Sequence, residues 1–233
     1  MGIRVVAARS CLALVLVLAS PWLYGQSGQS EGINDSYKSA NLRVEEWVQR
    51  FEVEGREAYD LRHQIVDAIG LKPGQSVADV GAGTGLFIPL LAEKVGSKGL
   101  VYAVDISPRF IEHIQKKVAA ANLNQVTMVL SNERSVALPP ASVDVVFSSD
   151  AYHHFVHYQD MLASISRALK PSGQFIVVDF DLESKALPSS MIEHVGKSKE
   201  EFTRQIEEAG FERVEDLTLP TMRSNFMYRF AKK

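Results

Sequence analysis

The sequence predicts an α/β fold, a doubly wound seven-stranded sheet that is mostly parallel with one antiparallel strand. Three observations lead there. From residue 76 onward, short apolar runs alternate with stretches of helical periodicity, the pattern of parallel strands joined by right-handed crossovers. The first apolar run, Ser76–Val80, leads straight into a glycine-rich loop and then a helix, an arrangement that builds ligand sites at strand ends. The last two runs, Val214–Leu219 and Phe226–Phe230, are joined by a connection too short for a crossover, so the final strand must reverse.

Each element has its own signal. Residues 41–70 show helical spacing at Val44, Trp47, Val48 and Phe51 and again at Leu61, Ile65, Val66 and Ile69, with Gly55 dividing two helices. Strand Ser76–Val80 precedes helix Leu86–Val95, where Pro89 is tolerated in the first turn. Strand Leu100–Val104 precedes a helix capped by Ser107, with Pro108 at its first position. Its expected buried face is Ile111, Ile114, Val118 and Ala121. Val126–Leu130 and Val143–Phe147 are further strands. Tyr158, Met161, Leu162, Ile165 and Leu169 form one stripe of the next helix, which Lys170-Pro171-Ser172-Gly173 is expected to end before strand Gln174–Asp179. Ser198 and Glu201 read as a capping box for a helix that stops at Gly210.

The hydrophobic content is 46% and the charged content 23%, which suits a globular protein rather than a disordered one. A formal charge of −3 without a basic run excludes nucleic acid as an expected partner. Residues 1–25 stand apart. Arg4 and Arg9 precede a short apolar core, Cys11 to Ala19, and Pro21 precedes a polar stretch from Gln26. This predicts a signal peptide and a periplasmic or secreted protein, with a membrane anchor if the segment stays uncleaved. Cleavage removes the single cysteine, so the mature chain has no disulfide and no thiol nucleophile. Residues 26–40 read as a flexible linker, residues 41–70 as an N-terminal helical lid, and residues 71–233 as the ligand-binding domain.

The chemistry concentrates at strand ends. Gly81, Ala82, Gly83 and Gly85 follow Asp79, a carboxylate able to hold a ligand ammonium. A dinucleotide site requires a further glycine three residues after the second; that position is Leu86, and the G-x-G-x-G spacing suits a ligand without pyrophosphate. Asp105 ends the second strand, where a carboxylate can accept both hydroxyls of a ribose; a helix N-terminal acid is the alternative.

The segments VADVGAGTGLF, VYAVDISPRFIEHI, LPPASVDVVFSSDAYHHF and LKPSGQFIVVDF, taken in order, resemble the successive motifs of class I S-adenosylmethionine-dependent methyltransferases over roughly residues 60–233. The resemblance implies a Rossmann-like methyltransferase fold with S-adenosylmethionine as cofactor. It implies that Gly81, Gly83 and Gly85 pack on the methionine part, Asp105 binds the ribose and Ile106 packs on the adenine. Asn132 or Glu133 would lie by the adenine amino group, and Ser149 along the cofactor.

Methyl transfer from a sulfonium demands alignment and exclusion of water more than acid or base chemistry. Candidates for acceptor contacts or a base are Asp150, Tyr152, His153 and His154, which follow the fourth strand. On a helix His153 and His157 would share one face, as metal ligands do, but the sequence places no carboxylates to complete a site and no metal is expected. Arg56, Tyr59 and Arg62 either fold over the cofactor or belong to a surface helix. His194 lies in the long connection after the fifth strand and reads as structural or exposed. The expected activity is methyl transfer to a small-molecule acceptor. The alternative is a non-catalytic protein binding S-adenosylmethionine or S-adenosylhomocysteine, and a nicotinamide enzyme is disfavoured by Leu86.

Overall fold

The order of seven strands across one sheet sets the position of the site. A computed structural model describes residues 32–233; the expected signal peptide lies outside the described residues. The strands are β1 (Ser76–Val80), β2 (Leu100–Asp105), β3 (Val126–Leu130), β4 (Val143–Ser149), β5 (Leu169–Phe180), β6 (Phe211–Asp216) and β7 (Asn225–Lys232). Their spatial order is β3-β2-β1-β4-β5-β7-β6. β7 pairs antiparallel with both β5 and β6, and the other pairings are parallel. The chain therefore changes direction of travel between β1 and β4, the switch point where open α/β sheets bind ligands.

Both faces of the sheet are covered, as a parallel sheet requires. On one face Val77, Val101, Ala103, Phe147 and Ile176 are fully buried. They pack under α4 (Arg62–Ile69), α5 (Ile88–Val95) and α6 (Pro108–Ala120). On the other face Val80, Val146, Phe175 and Val177 meet α7 (Tyr158–Ala168) and α9 (Lys199–Glu208). No helix among the described residues is long and apolar enough to cross a membrane.

Local chemistry explains the starts of α6 and α9. The Ser107 hydroxyl accepts from the Phe110 N–H and caps α6. Phe110, rather than Ile111, joins Ile114 and Val118 on its buried face, and Ala121 is exposed. Ser198 accepts from the Glu201 N–H at the start of α9, but the Glu201 carboxylate pairs with Arg204 instead of returning to the cap. Lys170–Gly173 does not interrupt β5: the segment stays extended through an irregularity opposite Val143 and Val145. Edge strand β6 exposes every residue after Phe211, and its charges discourage pairing with another chain.

The expected linker is partly ordered. Residues 35–38 form α1 (Asp35–Lys38), followed by α2 (Val44–Phe51) and α3 (Glu57–Asp60). Leu42, Val44 and Phe110 form a small core with Tyr37, Trp47, Val48 and Phe51. Apolar burial, not sequence composition, holds this polar segment against α6.

Candidate functional site

A cleft opens at the C-terminal ends of β1, β2 and β4, under α1 and α2. Its space, open mouth included, is about 660 Å³, within the size range of small-molecule sites. Val80, Gly81, Gly83, Asp105 and Ile106 form its floor, and Phe110, Ser131, Asp150 and Ala151 line it further along. Asn34, Tyr37 and Phe51 come from the N-terminal helices. Three carboxylates, Asp105, Glu133 and Asp150, face the cleft, and among the described residues no lysine or arginine lines it.

The glycine loop is shaped by close packing. A β-carbon on Gly81 would stand 2.4 Å from that of Ala151, and one on Gly85 would stand 2.9 Å from Ile114. Gly85 therefore admits α6 rather than a ligand, a correction to its expected role. Ala82 is buried among the apolar residues of the sheet face and does not line the cleft. Gly83 is a cleft residue, and its N–H donates to Asp105 Oδ2 at 2.8 Å.

Asp105 is held on both sides, since its Oδ1 accepts from the Ser107 N–H at 2.8 Å. Burial raises its pKa to about 6, against the lowering effect of these backbone donors. Its oxygens keep lone pairs for ligand hydroxyls. Asp79 is 2% exposed, and its Oδ2 has no hydrogen-bond partner. Burial, with the charge of Asp105 second, raises its pKa to about 8. Asp79 lies behind Val80 and Gly81 rather than on the cleft wall. Ser149 likewise does not line the cleft, although its buried hydroxyl lacks a partner.

Glu133 lines the cleft, with Oε1 bound by Asn34 Nδ2 at 3.1 Å and Lys38 Nζ at 3.2 Å. Asn132 is exposed and outside the lining, because its Oδ1 turns back to the Arg134 N–H. Its neighbour Ser131 does line the cleft.

The four residues expected near the transferred group separate. Asp150 is in the cleft, but Arg56 Nη2 lies 2.6 Å from Oδ2 and Asn225 Nδ2 donates to Oδ1 at 2.7 Å. Burial still raises its pKa, with Arg56 opposing. Tyr152 turns into the core, where its ring meets Phe155 and Phe202 and its hydroxyl donates to Gln205. Packing removes it from any contact with an acceptor. His153 is 2% exposed and bonded through Nδ1 to Asp179 Oδ1 at 2.8 Å; it too is absent from the cleft lining. His154 does line the cleft. Burial, reinforced by His153 and His194, pulls its pKa far below the ordinary imidazole value, which makes it neutral but a weak base, not one tuned near neutral pH.

Among the lid residues, Arg56 reaches the site, whereas Arg62 stacks on the Tyr59 ring and bonds the Tyr59 carbonyl. The sequence reading missed Asn34, Tyr37, Phe51, Phe110 and Met161 as cleft residues. The helical spacing of Phe51 and the aromatic character of Tyr37 were visible, but their direction was not.

Residues 78–177 match the family model described as a methyltransferase domain. The chain is 28% identical over 167 residues to aklanonic acid methyltransferase DauC of Streptomyces sp. (strain C5), spanning 66% of this chain and 76% of that one. It is 28% identical over 118 residues to a demethylmenaquinone methyltransferase of Listeria monocytogenes serotype 4a (strain HCC23), spanning 51% of this chain and 50% of that protein's length. The crystal structure of a SAM-dependent methyltransferase from Aquifex aeolicus superposes with a TM-score of 0.69 at 26% identity, covering 82% of this chain and 97% of that one.

Proposed function

Because the chain belongs to the class I S-adenosylmethionine-dependent methyltransferases, we propose that its cleft carries the methyl group of that cofactor to a small-molecule acceptor at the His154 end. The lining carries this reading: Glu133 and Asp150 are matched by Lys38 and Arg56, while Asp105, on the cleft floor, is in no ion pair among the described residues, so the floor suits a ligand bearing a sulfonium and an ammonium better than a pyrophosphate.

The residues present fit the cofactor. Asp105, fixed by two backbone donors, is placed to accept ribose hydroxyls. Ile106, Phe110, Tyr37 and Phe51 give apolar and aromatic surface for a purine. The unpartnered Asp79 Oδ2 is a buried carboxyl oxygen whose ionisation a ligand ammonium would favour. Bound there, the cofactor supplies an already activated methyl donor. The chain's task is then to orient the acceptor and exclude water. Asn34, Tyr37 and Phe51 roof the cleft, and Phe155 and Met161 give an apolar wall beside His154. Asp150, held by Arg56 and Asn225, orients rather than abstracts a proton. The two relatives are named for small-molecule acceptors, aklanonic acid and demethylmenaquinone, in keeping with an organic acceptor here.

We also propose that the mature protein works outside the cytoplasm. Arg4, Arg9 and the apolar run that follows support export. Recovery of an intact N-terminus from a purely cytoplasmic fraction would count against it.

Calorimetric titration tests the cofactor site. S-adenosylmethionine and S-adenosylhomocysteine should both bind, and Asp105→Ala should weaken each by about 10- to 100-fold, the loss of a charge-assisted contact. Turnover of methyl-labelled cofactor with candidate acceptors then separates an enzyme from a binding protein. A folded chain that binds neither ligand would overturn the reading.

A further inference from the structure

The pair expected on one helical face does not form. His153 and His154 lie in a short 3-10 turn, Tyr152–His154, and His157 precedes α7 as its cap residue. The structure instead brings His153 and His154 to His194, on α8 (Ser189–Val195). The ring centroids are 4.3 Å apart for His153 and His154, 5.2 Å for His153 and His194, and 5.1 Å for His154 and His194. One ring nitrogen from each lies within 4.8 Å of the others.

We propose that His153, His154 and His194 form a binding site for a divalent transition metal, of the imidazole-ligated kind that zinc occupies. Four features of the cluster converge on this. Asp179 is fully buried and accepts from the His153 backbone N–H at 3.1 Å and meets its ring Nδ1 at 2.8 Å. With Nδ1 turned to this carboxylate, Nε2 is the ring nitrogen left to offer a lone pair to an ion. A carboxylate behind a histidine is the arrangement that orients metal ligands. His154 Nδ1 is buried with no hydrogen-bond partner, an acceptor or donor that the fold leaves unsatisfied. His194 is exposed and gives an ion a route in from solvent. Finally, three imidazoles at one point are the soft-to-borderline nitrogen donor set that selects zinc, copper or nickel over magnesium or calcium.

Binding would draw the three nitrogens, now within 4.8 Å of one another, closer together. Metal–nitrogen bonds of about 2.0–2.1 Å in a tetrahedral site place nitrogens roughly 3.4 Å apart. His194, exposed on a helix of two turns, is the ligand free to close the remaining gap. Three histidines leave a coordination position for water or an anionic oxygen, the pattern of open rather than structural zinc sites. Since His154 also lines the cleft, an ion held here stands at the cleft's edge. The proposal does not rest on methyl transfer, and its test reads metal rather than turnover.

The test uses the full chain, stripped with a chelator, loaded with zinc sulfate and freed of excess metal. Elemental analysis should find about one zinc per chain, and competition with a chromophoric chelator should give its affinity. Cobalt loading should produce the visible absorption of a nitrogen-ligated ion. His194→Ala, at an exposed position that the fold does not depend on, should weaken zinc at least tenfold, as should His154→Ala. Asp179→Asn should weaken it by about 10- to 100-fold, and His157→Ala should leave it unchanged. A chain shown folded by circular dichroism that retains no zinc would overturn the proposal. So would zinc affinity that survives both His194→Ala and His154→Ala, because the ion would then be held elsewhere.

Discussion

Arg56 and Asp150 show how one contact joins the lid to the sheet. Asp150 keeps a left-handed backbone conformation, φ +48°, and its side chain is 4% exposed while that of Arg56 is 22% exposed. Arg56 also donates to the Phe51 carbonyl at 2.8 Å and lies over the Phe51 ring. Removing Arg56 leaves a buried carboxylate with Asn225 as its remaining partner. A fully buried pair loses about 3–5 kcal/mol when one partner is removed. The partial exposure of Arg56 and the surviving Asn225 contact lower the expectation to ~1–3 kcal/mol for Arg56→Ala. Urea denaturation measures this. Arg56→Ala should also weaken S-adenosylhomocysteine, because Phe51 loses its anchor; unchanged stability and affinity together would show that the pair is incidental. Tyr152→Phe removes only a hydroxyl bonded to Gln205 in the core. It should leave turnover intact, in contrast to the role its position in the sequence suggested.

At the scale of elements, α1, α2 and α3 act as a roof tied down at several points. Asn34 donates to the His154 carbonyl at 3.1 Å, Lys117 pairs with Glu52 at 3.1 Å, and Glu57 accepts from the Ser224 and Asn225 N–H groups. The aromatic contacts of Tyr37 with Trp47, Phe110 and His154 fill the space between. Burial and the nearby Asp105 charge raise the Tyr37 phenol to about 12, so it stays a neutral donor in the cleft. Tyr37→Ala should raise the Kd for S-adenosylhomocysteine about 3- to 10-fold, the worth of an aromatic contact. Trp47 is the sole tryptophan among the described residues and reports on this roof. In a Trp22→Phe background its emission should change on ligand binding. Constant emission at saturation would mean that these helices take no part in closing the site.

For the whole molecule, two buried carboxylates govern the response to pH. Asp79 and Asp105 have folded pKa values raised to about 8 and about 6. These two carboxylates hold more protons in the folded chain than in the unfolded chain between about pH 4 and pH 8, while His154, with its lowered pKa, acts in the opposite sense below about pH 6.5, so stability is expected to fall as pH rises from about 6.5 to 8, through Asp79. Asp79→Asn should flatten the upper part of this slope in thermal denaturation while weakening the cofactor. A ligand ammonium favours ionised Asp79, so affinity for S-adenosylmethionine should increase with pH over the same range. S-adenosylhomocysteine at 100 times its Kd should add about 2.7 kcal/mol, seen as a higher Tm. Much of this architecture was legible locally. The alternation of strand and helix, the Ser107 cap, the reversed last strand, the glycine loop and Asp105 all depend on neighbours in sequence, so their patterns survive in one dimension. Asn34 and Tyr37 were not legible, because a polar segment gives no periodicity and its docking depends on aromatic burial against α6. The exclusion of Tyr152 from the cleft was decided by rotation of one short turn, and Asp150 was engaged by residues 94 and 75 positions away. His194 meets His153 and His154 only because α8 sets it beside the turn that follows β4. The sequence alone thus determined the fold, the cofactor class and the strand ends that bear the chemistry, since backbone periodicity and loop geometry are local properties. Which side chains face one another was decided by tertiary packing, since contact between distant residues follows from how helices settle on the sheet.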